Sequence, residues 1–154
     1  MKTVCGLLLL LSAGAIGVYA GTMLTEGSVL VPHWQSLTPA AFHDWYAAND
    51  ERLVGFFGPV TTLAALLAIG AALAAFITRH PARWSALVAA LLMLGTVSMF
   101  FLYFAEANAR FSAAGIPPES LPDELARWAA WHRTRTVMAV VALVAALIPL
   151  RRPS

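Results

Sequence analysis

The last third of the chain spaces Trp128, His132 and Arg135 four and three residues apart. Residues three, four and seven apart share one face of a helix. These three therefore form a stripe, with Glu124 upstream and Ala139 and Leu143 downstream. A histidine titrates near neutral pH and can remove and return a proton. An arginine on the same face can hold an oxyanion or a phenolate. A flat aromatic substrate could rest on Trp128. The pattern points to acid–base chemistry on a hydrophobic aromatic compound, with His132, Arg135 and Trp128 as the residues at its centre.

Other polar residues fall where they could join this stripe. His43, Tyr46 and Asp50 share a second helical face that leads to Leu53 and Phe57. Tyr103, Glu106 and Arg110 share a third, with Asn108 close by, and Glu26 ends the first hydrophobic run. Asp50 is placed with His132 and Arg135 as a catalytic candidate. Trp128, Glu26, His43, Asn108 and Tyr103 are supporting candidates.

A metal is the alternative use of such residues. His33, His43 and His132 with Glu26 could supply nitrogen and oxygen ligands. The chain has no HExxH and no Glu-x-x-His pair, and the ferritin-like di-iron arrangement needs two of the latter. Two histidines on facing helices could bind haem axially. The sequence predicts no cofactor and leaves metal or haem as lesser alternatives. With a single cysteine, Cys5, it has neither an intramolecular disulfide nor a CxxC pair. It has no GxSxG nucleophile motif. Trp34, Trp45, Trp84, Trp131 and Arg133 are accounted for as interfacial anchors or snorkelling groups.

The elements that must position these residues are membrane spans. The 154 residues are 60% hydrophobic and 12% charged, with a mean hydropathy of +0.73. A soluble domain carries about a quarter charged residues. A span needs about 20 apolar residues. Runs from Thr3 to Thr25, Leu53 to Ile77 and Trp84 to Ala105 satisfy this. The fourth, Thr136 to Leu150, is shorter and spans only if its helix begins upstream, near Pro122 or Asp123, and crosses from about His132 to Leu150. The expectation is an all-α, four-helix transmembrane bundle forming one domain, with helices 2 and 4 extended on the outer side. Pro59 is expected to loosen or kink the second span.

Met1 to Ala20 has the basic start, apolar middle and small residues of a signal peptide. The run continues through Met23 and Leu24, which favours a retained anchor. Lys2, Arg79, Arg83, Arg151 and Arg152 lie at the termini and in the short turn, with no acid among them. All eight acids lie between Glu26 and Arg52 or between Glu106 and Arg135. The positive-inside rule then puts both termini in the cytoplasm. In a bacterial inner membrane the polar layer would face the periplasm. The formal net charge of +2, without a dense basic stretch, excludes nucleic acid as a partner. The expected partners are the lipid bilayer and a hydrophobic small molecule, with a second copy of the chain as an option.

Four spans, "GTMLTEGSVLVPHW" after the first, Asn108 after the third and "RWAAWHRTR" before the fourth resemble the DUF1772 family. That family includes the fungal anthrone oxygenases. Its Trp, His and Arg pattern falls on Trp128, His132 and Arg135, and Val31–Pro32 resembles its exit from the first helix. The segment "FHDWYAANDERLVGFFGP" has no secure counterpart. The resemblance implies a small four-helix membrane oxidoreductase that oxidises anthrones with molecular oxygen. His132 would form the enolate and Arg135 would hold it. The rival expectation is a non-catalytic inner-membrane subunit or assembly partner whose polar layer clamps the helices.

Overall fold

The structure, a computed structural model, describes residues 2–148. Among them it is all-helical. Helix α1 (Lys2–Thr25) passes through a π turn (Glu26–Leu30) into the short α2 (Val31–Ser36). Helix α3 (Pro39–Ile77) leads by a tight turn to α4 (Arg83–Met99). A second π turn (Phe100–Phe104) joins α4 to α5 (Ala105–Ser112), and α6 (Leu121–Leu147) completes the bundle.

The reasons for these boundaries are local. Pro32 has no N–H and crowds the carbonyl four residues back, which a regular helix does not tolerate. The chain widens into a π turn, where Val31 N–H reaches the Glu26 carbonyl, five residues back. The Val31–Pro32 step is therefore not an exit. The helical path runs on to Ser36, which corrects the sequence expectation. Thr38 caps α3 by accepting a hydrogen bond from Ala41 N–H, with Pro39 in the first turn. Helix α3 continues unbroken through Pro59. At the other end Arg79 adopts a left-handed φ of 51°, and His80 N–H closes the helix onto the Ala75 carbonyl at 2.8 Å. Helix α6 begins at Leu121, with Pro122 in its first turn and Asp123 and Glu124 beside the positive end of its dipole. At 27 residues it is about 40 Å long. Its last expected span residues, Pro149 and Leu150, lie outside the described residues, as do Arg151 and Arg152.

Neighbouring helices run antiparallel, in the cyclic order α1, α3, α4, α6. Three helical stretches, Lys2–Ser36, Pro39–Ile77 and Arg83–Ser112, are long and apolar enough to cross a membrane. Large apolar residues such as Val18, Leu66, Leu91, Phe101 and Val144 point outward, as they do on a lipid-facing surface. The protein is thus a small helical membrane bundle.

Two cores divide its length. The one near the 78–82 turn is built of alanine, including Ala68, Ala75, Ala89, Ala142 and Ala146, with Tyr19, Ile16 and Met93. Small side chains let helices approach closely where lipid offers no hydrophobic drive. The other end is packed with rings: Trp34, Phe42, Tyr46, Phe104, Phe111 and Trp128. Trp34 meets Trp128 edge-on at 5.3 Å, and Phe42 meets Phe111 at 5.0 Å. Rings hold helices farther apart than alanines do. The bundle is packed with alanines at one end and with rings at the other, and all eight acids lie away from the alanine-packed 78–82 turn. Ala142 is fully buried at the alanine-packed end. Ala142→Leu is expected to destabilise the bundle by about 1–3 kcal/mol through overpacking, read as a lower unfolding temperature in detergent. The exposed Val141→Leu should leave that temperature unchanged.

Candidate functional site

The site begins at the last turn of α1. Glu26 opens the π turn and is buried, its side chain 6% exposed. Helix α6 answers with His132 and Arg135, three residues apart on one face. Arg135 donates from Nη2 to Glu26 Oε2 at 3.1 Å and to His132 Nδ1 at 3.2 Å. Its guanidinium also lies over the Phe104 ring, 4.1 Å from the centroid. Its Nε is buried with no hydrogen-bond partner.

The partners of His132 fix its tautomer. Its Nε2 lies 2.9 Å from the Met23 carbonyl, which only accepts, so Nε2 carries the proton. Arg135 only donates, so Nδ1 offers its lone pair. The imidazole is neutral in this arrangement. The 3.4 Å approach of Nδ1 to Glu26 is therefore not an ion pair. Trp128 stacks on the imidazole, with centroids 5.1 Å apart and planes 11° from parallel. The indole N–H donates to Asn108 Oδ1 at 2.9 Å, tying α6 to α5. Thr136 Oγ lies 3.3 Å from Nε2 while donating to the His132 carbonyl.

Gly27 makes this approach feasible. A Cβ there would stand 3.1 Å from His132 Nε2 and 3.2 Å from Cδ2. The glycine lets the imidazole reach the α1 backbone. Two π turns flank the site, one carrying Glu26 and one carrying Phe104. Such turns recur at functional sites, and here each leads into a residue that Arg135 touches.

The chain matches no family model, no curated protein and no solved structure. A cavity of about 210 Å³ opens beside the cluster. Glu26, Arg135, Trp128, Asn108, Tyr46 and Thr96 give it a polar side, and Phe57, Phe100 and Phe101 give it an apolar one. An acid and a cation in an otherwise apolar pocket suit a small ligand with one polar atom to be held. His132 does not reach the wall. It stands behind Arg135 and Trp128, 1% exposed.

The other candidates lie elsewhere. Asp50 accepts hydrogen bonds from Ser112 Oγ and, at 2.6 Å, from Glu51 N–H. His43 donates from Nδ1 to the Phe111 carbonyl at 2.8 Å, which leaves its buried Nε2 without a partner. Tyr103 donates to Glu124 Oε1 at 2.8 Å and stacks on Trp131. His33 is exposed, edge-on to Trp45. Of the metal candidates, the fold brings together only Glu26 and His132. No group of three or more His, Cys, Asp or Glu forms among the described residues.

Sequence reasoning passed over Gly27, Tyr19, Thr136 and Thr96. Tyr19 and Thr136 carried a helical signal, seven residues before Glu26 and four after His132. The Tyr19 hydroxyl is buried on the α1 face that leads to Glu26. Gly27 and Thr96 carried none, because what they face comes from another helix.

Proposed function

We propose that this protein crosses the membrane four times, with both termini and the 78–82 turn in the cytoplasm, and acts on a flat hydrophobic molecule taken from the bilayer. The charge distribution supports that orientation, since every acid lies at the opposite end from the 78–82 turn. In a bacterial inner membrane the site would face the periplasm. The observation that carries the functional reading is the pairing of Glu26 with Arg135 in the wall of an apolar cavity.

In this reading Glu26 takes a proton from a carbon acid such as an anthrone, and Arg135 holds the oxyanion that results. The carbanion reacts with oxygen. The ring methylene becomes a carbonyl, one oxygen atom stays on the substrate and the other leaves as water. The resemblance of "RWAAWHRTR" to the DUF1772 family supports the same chemistry. The base moves from His132 to Glu26, because Glu26 lines the cavity and His132 does not. His132 is a positioning residue that presents Arg135. No cofactor enters the proposal.

Glu26→Gln keeps the shape and removes the base. It is expected to lower the oxygen-dependent turnover of a hydroxyanthrone by about 100-fold or more, followed by absorbance and oxygen uptake in detergent. A protein that never exceeds the spontaneous rate would sink the oxygenase reading.

The same contacts favour a second reading. Arg135 and His132 tie α6 to Glu26 and Met23 of α1, as a non-catalytic helix clamp would. On that reading Glu26→Gln alters stability and no activity exists to lose.

A further inference from the structure

Glu26 also borders a second cavity. A larger cavity, of about 560 Å³, lies between α1 and α3. Glu26, Leu53 and Phe57 line both cavities, so the two abut across these residues. The second is walled by Val18, Gly21, Val29, Leu30 and Phe56, with Trp45, Asn49 and Arg52 at one end. Val18, Val29 and Phe56 are more than half exposed on the lipid-facing surface. A Cβ built on Gly21 would have nothing within 4 Å, so the missing side chain leaves the cavity open there.

The two spaces differ in chemistry. The smaller holds the acid, the cation and the indole, and is below the roughly 300–1,000 Å³ of a site for a drug-sized ligand. The larger has mainly hydrocarbon walls and runs along α1 for about two turns on the Glu26 side. A polar compartment that abuts an apolar one at Glu26, Leu53 and Phe57 matches a ligand with a compact polar head and a long apolar chain.

We infer that the second cavity seats an alkyl or prenyl chain carried by the molecule whose ring occupies the first. The substrate is then a lipid-borne amphiphile that arrives sideways from the bilayer between α1 and α3. This rests on the reading of the first cavity as a ligand site. Leu53 and Phe57, four residues apart on α3, are the side chains the ligand must pass. The chain gains little free energy by leaving lipid, since lipid is as apolar as these walls. Its contribution is to direct the head to Glu26 and Arg135.

The test uses 2-hydroxy-1,4-naphthoquinones bearing a 3-methyl or a 3-decyl group, titrated by tryptophan quenching of the full chain in lipid nanodiscs. Empty discs correct for partition. Both compounds should bind the unmodified protein. Gly21→Phe adds a ring to the wall of the second cavity, at a position where a Cβ meets nothing within 4 Å. It should weaken the decyl compound about tenfold or more and leave the methyl compound within about twofold. A diazirine at the end of the decyl chain should label the protein between Val18 and Val29. If both compounds bind Gly21→Phe equally, or the label falls on Phe100, Phe101 or lipid alone, the chain lies elsewhere and the inference fails while the first site stands. If a bilayer lipid copurifies in the cavity and the decyl compound does not displace it, the inference also fails. If neither compound binds the unmodified protein, the reading of the first cavity fails and this one falls with it.

Discussion

Arg135→Met is expected to destabilise the bundle by about 3–5 kcal/mol. The Glu26 side chain is 6% exposed, and its carboxylate accepts a hydrogen bond from Arg135 Nη2 at 3.1 Å. Removing the guanidinium leaves a buried carboxylate with no countercharge, and this penalty is far larger than the net worth of the pair. The same change strips Nδ1 of His132 of its donor and the Phe104 face of its cation. The partner variant tests the cause. Glu26→Gln combined with Arg135→Met removes both charges, and it should recover all but about 1–2 kcal/mol of the loss. Unfolding by sodium dodecyl sulfate titration, or the unfolding temperature in mild detergent, reads the cycle. If the double variant were no more stable than Arg135→Met alone, the buried charge would not be what Arg135 relieves. Arg135→Lys should rescue poorly, because an ammonium cannot span carboxylate, imidazole and ring as the planar guanidinium does.

Gly27→Leu is expected to cost about 2–4 kcal/mol. Helix propensity argues for the opposite sign, since replacing a helical glycine usually gains up to about 1 kcal/mol. Tertiary packing should win here. The position of a Cβ, 3.1 Å from His132 Nε2, already requires the imidazole to move. The imidazole has little freedom, with Trp128 stacked on one face and its Nε2–H on the Met23 carbonyl. Driving it aside takes the acceptor from the Nε2–H and another acceptor from Arg135. Gly27→Ala should show the same sign at about 1 kcal/mol. Imidazole nitrogen chemical shifts should report loss of the Nε2–H tautomer, and thermal unfolding should report the cost. A Gly27→Leu protein as stable as the original would show that His132 is not held against α1.

The stripe of Trp128, His132 and Arg135 was legible because helical spacing is a local property. Their common face survives in the structure, with the indole and imidazole stacked and Arg135 reaching back to His132. Glu26 was legible as an acid at the end of an apolar run, where an ionisable group needs a reason to be. Asp50 stood in the same layer by counting residues, yet the fold gives it to Ser112. Counting along α3 fixes a height and a face but not the partner, and α5 supplies that partner. The Val31–Pro32 step looked like a helix end by resemblance alone, and proline does lack the donor that an α-helix needs. A π turn provided another solution, and the helical path continued.

By itself the sequence determined the class of the protein and the heights of its polar residues. Apolar runs of span length, proline and acidic starts of helices, and alanine-rich faces are all read from neighbours in the chain. Only the tertiary structure decided which polar groups meet. It set Glu26 against Arg135, moved His132 behind the cavity wall and placed Gly27 under the imidazole. The contacts of Glu26 with Arg135, Met23 with His132 and Gly27 with His132 each join residues more than 100 positions apart. Spacing within a helix cannot encode such a pair. It depends on how closely two helices approach and how each is turned about its axis, which alanine packing at one end and ring packing at the other jointly set.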